Sequence, residues 1–193
     1  MAAQRFVSFA LAAFLLAAAC ASVWYLIDEF QTQHLRRAGI AEIVFPETPP
    51  ELASADRLDA LATRALQTAP WQLDFAKSAT QLSIAKNPRR ISNWNRVVYI
   101  DVAENGQPTD AGINAIEESF FRSPFGEIED MQWRLEFTNA YWASMPDDIK
   151  AQSLAQVTAI ADDWRARRWL REFGKTSQPE ITVRIERALA AID

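Results

Sequence analysis

The sequence predicts an all-α protein in which one membrane-spanning helix precedes a series of antiparallel helical hairpins. Three observations lead to this prediction. Near its start the chain has 22 consecutive uncharged residues, from Phe6 to Ile27. It contains only five glycines in 193 residues, and none lies between Gly39 and Gly106, which favours helices over turn-rich β structure. Beyond residue 54, prolines recur at intervals that each leave room for one helix of ordinary length.

The uncharged run is long enough to cross a bilayer. As a helix it would span about 33 Å, compared with about 30 Å for the hydrocarbon core of a membrane. Trp24 and Tyr25 near its end suit the headgroup region, and Asp28 and Glu29 end the run. Arg5 is the only charged side chain before it. We therefore expect a single-pass protein of the inner membrane, with its N-terminus in the cytoplasm and its C-terminal domain in the periplasm.

Two other interpretations of this segment remain open. Ala17, Ala19 and Ala21 offer the small residues that a signal peptidase needs for cleavage. The stretch LAAAC at 16–20 also resembles the lipobox of bacterial lipoproteins, which implies lipidation of Cys20. In an uncleaved anchor, Cys20 would be a small apolar residue inside the membrane helix.

Composition limits the chemistry that the chain can perform. The net charge is −5, and an acidic chain is a poor match for nucleic acid, whose phosphates require clustered positive charge. One cysteine cannot form an internal disulfide or a thiolate zinc cluster. One histidine, His34, leaves a histidine-based metal site or catalytic triad with a single possible member. We therefore expect no cofactor, no metal and no nucleic-acid partner.

We divide the chain into three parts. Residues 1–30 are the anchor or signal-like segment, residues 31–54 a juxtamembrane stalk, and residues 55–193 an α-helical domain. Gly39 interrupts the helical pattern inside the stalk. Beyond it, three prolines suit an extended linker: Pro46, Pro49 and Pro50.

The domain is predicted to contain seven helices. They span 55–68, 71–86, 91–103, 110–122, 127–143, 147–173 and 178–192. Ser54 is a candidate N-cap for the first helix, and the sequence Ser177-Gln-Pro-Glu180 predicts a capping box at the last. Because the connections are short, consecutive helices are expected to pack as antiparallel neighbours.

A spacing of small, large and small residues before a proline recurs in two of these helices. It reads Gly112-x3-Ile116-x2-Ser119-x4-Pro124 in one and Ala76-x3-Thr80-x2-Ser83-x4-Pro88 in the other. Trp94 lies six residues after Pro88, at the spacing where the repeat family named next has an aromatic residue. In these features residues 55–145 resemble tetratricopeptide (TPR) repeats, whose unit of 34 residues has small residues where its two helices touch and a proline near its end.

The resemblance implies a short array of stacked hairpins that binds protein partners in a concave groove, without enzymatic activity. The chain departs from the family pattern at Val97 and Val98, which stand where the family has Leu-Gly, and at Asp101, which stands at its tyrosine position. An irregular all-α bundle is the alternative, since it would produce some of the same spacings.

The strongest charge feature is a group of arginines. Arg167, Arg168 and Arg171 share one face of the predicted helix, with Trp164 among them and an apolar face opposite. Their guanidinium groups suit phosphate and carboxylate, so an acidic polysaccharide or lipid headgroups could bind there. Alternatively, the group is a solvated helix face near a C-terminus, where the helix dipole favours cations.

One further stretch resembles a catalytic motif. The pair Glu118-Ser119 is similar to the catalytic Glu-Ser of lytic transglycosylases, although no other motif of that family accompanies it. We expect instead a scaffold that binds envelope or membrane proteins outside the cytoplasm, with polysaccharide synthesis or export as one setting. A module that binds anionic polysaccharide or lipid is the alternative, and a peptidoglycan-cleaving enzyme is the least favoured.

Overall fold

A computed structural model of the chain describes the backbone of residues 2–192 and the side chains of residues 10–192. Within this part, all regular secondary structure is helical. The α-helices are α1 (Ala2–Arg37), α2 (Ala55–Ala65), α3 (Leu73–Lys86), α4 (Ile91–Asn105), α5 (Asp110–Arg122), α6 (Ile128–Ala140), α7 (Asp147–Asp162), α8 (Arg167–Gly174) and α9 (Pro179–Ala190). Two 3-10 helices span Ile40–Glu42 and Trp142–Ser144. One compact unit contains α1 to α3 and ends at Lys86, and a second begins at Asn87 and contains α4 to α9.

Antiparallel hairpins are formed by α2 with α3 and by α4 with α5, as the sequence predicts. In the first unit, the Ser83 hydroxyl near the end of α3 donates to the carbonyl of Ala55 at the start of α2, at 2.9 Å. In the second, the Ser119 hydroxyl near the end of α5 donates to Asn95 Oδ1 near the start of α4, at 2.7 Å. α6 also packs against α7, and α8 packs against α9. The all-α prediction is therefore confirmed.

The small residues of the repeated spacing lie where the helices of a hairpin touch. Gly112 and Ser119 of α5 are buried, and a Cβ added at Gly112 would collide with the carboxylate of Asp101. Asp101 also accepts hydrogen bonds from the Thr109 amide at 2.8 Å and its hydroxyl at 2.7 Å. Asp101 therefore holds the connection between α4 and α5.

The prediction of one helix over 147–173 is wrong, because the chain leaves the helical path between α7 and α8. The Asp163 carboxylate accepts a hydrogen bond from the backbone amide of Arg165 at 2.8 Å, and the Ala166 amide bonds back to the Asp163 carbonyl at 3.0 Å. Aspartate side chains compete with helical backbone bonds in this way. The helix predicted over 127–143 likewise ends at Ala140, before the 3-10 turn.

The helix caps are partly as predicted. The Ser54 hydroxyl accepts from the Arg57 amide at 3.1 Å and caps α2, and Pro179 occupies the first turn of α9. The capping box at Ser177 is wrong. Its hydroxyl donates to the Phe173 carbonyl at 2.6 Å, so Ser177 helps to end α8 while Gln178 takes the N-cap position of α9.

Helix α1 has two parts that differ in their surroundings. From residue 10 to residue 27 it is exposed, and within Ala10–Arg37 an 18-residue stretch has a mean hydropathy of 2.2 and no buried residue. The helix is thus long and apolar enough to span a membrane. Beyond Ile27 the same helix turns one face towards α2, and three residues spaced by four and three positions are buried there: Asp28, Thr32 and Leu35.

Helix α2 binds both ends of this packed stretch. Asp28, only 4% exposed, accepts from the Ser54 amide at 3.3 Å and lies 3.6 Å from Nη1 of Arg57. At the other end, Arg64 donates to three carbonyls at the C-terminus of α1, which the helix itself leaves without partners. These belong to Leu35 (2.7 Å), Arg36 (2.6 Å) and Ala38 (3.1 Å).

The segment assigned to the stalk, 31–54, lies within this unit. α1 supplies its first residues, and the 3-10 turn follows. Phe45 packs edge-to-face on Phe75 of α3, with ring centroids 5.4 Å apart, and Pro49 and Ala53 are buried. The proline-containing part is therefore a loop with packed positions along its length.

Replacing Arg64 with alanine should loosen the end of α1. The substitution leaves three carbonyls without their charged donor, and we expect the first unit to lose about 1–3 kcal/mol of stability. Hydrogen exchange of the full chain in detergent should show faster exchange in residues 28–38. Thr63→Ala, at the exposed neighbouring position, is the control and should change exchange little. Equal exchange in both variants would contradict the proposal that Arg64 holds the end of α1 in place.

Candidate functional site

A cleft of about 370 Å³ lies in the second unit, between the start of α6 and the connection from α7 to α8. Its lining residues come from these two segments: Glu127, Ile128, Glu129, Gln132, Asp163, Arg165 and Ala166. Three of them are carboxylates and one is an arginine, so the cleft is acidic overall.

A buried arginine holds the first of these segments. Arg134 of α6 is fully buried, and its Nη1 donates to the carbonyls of Ser119 at 3.2 Å and Ser123 at 2.9 Å. Its guanidinium lies 4.6 Å above the ring of Phe120. Burial lowers the pKa of Arg134 to about 10, and the nearby charge of Asp130 partly offsets this. The end of α5 is therefore fastened to α6.

The connection that follows α5 is held at two more points. Nε2 of Gln156 in α7 donates to the carbonyl of Pro124. Gly126 lies so close to Ile91 and Arg134 that a Cβ added there would come within 3.2 Å of both. Phe125, between these two fixed residues, is 61% exposed. Its exposure is thus a consequence of the way its neighbours are anchored.

The second segment is the turn between α7 and α8. Arg165 bonds to the Asp163 carboxylate through its backbone amide at 2.8 Å and through Nη2 at 3.1 Å. These hydrogen bonds lower the pKa of Asp163, which stays ionised. Trp164, between them, is 75% exposed. Trp164 therefore stands in sequence between two lining residues of the cleft, and the exposed Phe125 stands two residues before a third, Glu127.

The three arginines predicted to form a basic face have different roles in the structure. Nε of Arg167 donates to the Ala161 carbonyl at 2.8 Å and so caps the end of α7. Arg168 and Arg171 are exposed on α8. None of the three lines the acidic cleft. Trp164 does not lie among them on a helix, because it belongs to the turn.

The apolar side opposite these arginines is as the sequence predicts. Ala166 and Leu170 are buried, and Trp169 stacks on Phe173 with ring centroids 5.0 Å apart. Leu170 contributes to a core that includes Ile181 and other residues of α9. This packing explains the position of α8 without any reference to a ligand.

Other candidate residues are placed as follows. Glu118 is partly exposed and forms an ion pair with Arg122, one turn further along α5, at 2.9 Å. Its neighbour Ser119 faces the opposite way into the α4–α5 contact, so the two side chains do not form a pair. Cys20 is exposed on the apolar part of α1, and His34 is exposed further along the same helix.

Sequence reasoning missed Arg134 and the cleft beside it. A charged residue is usually assigned to the surface, although α6 is apolar on two faces and a helix of that kind is covered from several sides. The cleft depends on the break in the predicted helix 147–173, so no pattern in the sequence indicated it. Phe125 lacked a helical periodicity that would have marked it as core or as exposed, whereas Trp164 was assigned to a face of a predicted helix that ends before it.

No protein-family model, curated protein or solved structure matches the chain. Among the side chains that the structure describes, His, Cys, Asp and Glu form no group of three or more arranged to hold a metal ion. The cleft offers carboxylates and a guanidinium, and the exposed rings of Phe125 and Trp164 lie close to its lining residues in sequence. Such a surface suits a partner that contributes apolar and basic side chains.

Asp130, next to Arg134, makes the stability of this unit depend on pH. Its Oδ1 accepts from Nδ2 of Asn95 at 3.2 Å. Burial raises its pKa above 3.8, with Glu127 and Glu129 adding to the rise and Arg134 opposing it. A carboxyl with a raised folded pKa binds a proton more readily in the native state. Its contribution to stability is therefore present at low pH and is lost as the pH rises through the folded pKa.

We expect Asp130→Asn to be more stable than the wild type at pH 7, because it keeps an acceptor for Asn95 without the poorly solvated charge. The difference in melting temperature should shrink as the pH falls through the raised folded pKa of Asp130, because the wild-type carboxyl then takes up its proton. Glu129→Gln, on the exposed side of the same turn, is the control and should show a smaller pH-dependent difference. A wild type more stable than Asp130→Asn at pH 7 would rule out this account.

Proposed function

We propose that this protein is a membrane-anchored scaffold that holds a helical domain beside a membrane and binds a partner protein there. One observation carries the proposal. The apolar part of α1 is exposed from residue 10 to residue 27, and the same uninterrupted helix then packs into the first unit from Asp28 onwards. A helix of this kind gives up its apolar surface to lipid while fixing the attached domain close by.

The proposed location is the inner membrane, with the domain in the periplasm. Arg5 directly precedes the apolar run, which favours an N-terminus in the cytoplasm. The proposed uncleaved anchor leaves Cys20 within the bilayer. Lipidation at Cys20 would keep the domain at a membrane as well, whereas cleavage would release it.

The proposed partner-binding surface is the acidic cleft together with the exposed side chains of Phe125 and Trp164. Exposed aromatic residues held on a rigid backbone are typical centres of protein interfaces. Phe125 and Trp164 are both held in this way, by bonds to the residues beside them. Glu127 and Glu129 would pair with basic side chains of the partner. This use of helical hairpins as a binding surface would suit a TPR-like array.

A second function is favoured by the exposure of Arg168 and Arg171 on one face of α8. These two arginines could bind an anionic polysaccharide or lipid headgroups through bidentate hydrogen bonds. Arg167 contributes less to this alternative than the sequence indicated, because its guanidinium caps α7.

Cysteine labelling of spheroplasts tests the anchor and its orientation. In a Cys20→Ser background, Glu47→Cys places one thiol at an exposed position of the first unit. A membrane-impermeant maleimide should label it without lysis, while the control Ala3→Cys should be labelled only after lysis. The chain should also stay in the membrane pellet after carbonate extraction. Labelling of Glu47→Cys only after lysis would overturn the orientation.

Replacing both exposed aromatics tests the binding surface. Phe125→Ser with Trp164→Ser should weaken capture of a crosslinked membrane partner roughly thirtyfold, because an aromatic hot spot contributes about 2 kcal/mol or more. Val183→Ser, at an exposed apolar residue of α9, is the matched control and should leave capture unchanged. Circular dichroism should show the same helicity in all forms. Equal capture by both variants would contradict binding of the partner at this surface.

A further inference from the structure

One exposed aliphatic side chain of the first unit lies beside the point where α1 leaves its apolar run. Leu52 is 79% exposed. Two residues later, the Ser54 amide donates to the carboxylate of Asp28 at 3.3 Å. Asp28 directly follows Ile27, the last residue of the uncharged run. The hydrogen bond therefore fixes Leu52 near the level at which the helix would emerge from a membrane.

A tight turn presents Leu52 to solvent. The Ala53 amide donates to the carbonyl of Pro50 at 3.0 Å, which places Glu51 and Leu52 at the two central positions of a four-residue turn. The base of the turn is anchored, since Pro49 and Ala53 are buried. The position of Leu52 is thus set by the fold of the unit.

Other exposed apolar side chains occur at the same level of α1. Ile27 is exposed, and Phe30, one turn or less beyond Asp28, is 76% exposed. Further along the helix the exposed side chains are polar: His34, Arg36 and Arg37. The apolar surface of α1 therefore ends close to the level of the turn, as expected for a segment that meets the boundary between acyl chains and headgroups.

We infer that the turn over residues 50–53 rests on the phospholipid surface, with the side chain of Leu52 inserted at the boundary between headgroups and acyl chains. This inference rests on the proposed function, because it requires α1 to cross the bilayer. Glu51 at the tip of the turn is charged and stays among the headgroups, so insertion is shallow. The turn gives the first unit a second contact with the membrane and fixes its orientation there.

Val44 provides a matched control at the opposite end of the unit. It is 92% exposed and aliphatic, and its neighbour Phe45 packs on Phe75 at the start of α3. α3 runs antiparallel to α2, and its last turns lie beside Ala55. Phe75 is therefore at the end of the unit where Arg64 binds the end of α1, about 15 Å along the helix from Asp28.

The experiment uses the full chain in phosphatidylcholine vesicles with Cys20→Ser and one new cysteine carrying an environment-sensitive NBD fluorophore. NBD at Leu52→Cys should emit at shorter wavelength than in water. It should be quenched several times more strongly by lipids with a nitroxide near the top of the acyl chain than by lipids with a deep nitroxide. NBD at Val44→Cys should emit as in water and be quenched by neither lipid.

The outcomes separate this inference from the proposed function. Vesicle flotation reports anchoring directly, so a chain that does not float with the vesicles contradicts both. A chain that floats while NBD at Leu52→Cys emits as in water overturns the inference alone. Equal quenching at Leu52→Cys and Val44→Cys also overturns it, because the unit would then have no membrane-facing end.

Discussion

A buried carboxylate at the end of the apolar run determines how the first unit is attached to its helix. Burying a charge costs desolvation free energy unless hydrogen bonds and an opposite charge compensate for the lost water. Asp28 accepts a hydrogen bond from the Ser54 amide and forms an ion pair with Arg57, both at the start of α2. α1 therefore cannot separate from α2 without leaving these charged and polar groups without their partners. Because the helix continues through Asp28 to Arg37, the apolar run and the folded unit share one rigid element. The proposed anchor therefore also orients the first unit.

In the second unit, buried charged side chains fix the connections between helices. Asp101 holds the connection between α4 and α5, and Arg134 holds the one between α5 and α6. In each case a charged side chain is buried because it satisfies backbone groups that the helix ends leave open. The loops are thereby fixed, and the side chains they expose, such as Phe125, keep a defined place. A binding surface on such loops needs little ordering when a partner arrives.

Much of the fold was predictable because periodicity and spacing record which faces are buried. The apolar run, the hairpins and the small contact residue Gly112 follow from local patterns. The predictions that were wrong or missing have a common cause, because side-chain hydrogen bonds decide the local structure there against the periodicity of the sequence. Asp163 bonds to its own backbone and ends α7, and Arg134 is buried despite its charge. The contact between Phe45 and Phe75 joins distant residues, so composition alone indicated a linker where the chain packs.

A distance measurement across the junction tests the central claim that α1 is one rigid element. The native Cys20 supplies one spin-label site in the apolar run, and Thr63→Cys supplies another on the exposed face of α2. Double electron–electron resonance in lipid nanodiscs should give a single narrow distance distribution. A broad distribution, or two separate distances, would show that the helix bends or frays at Asp28 and would contradict the account.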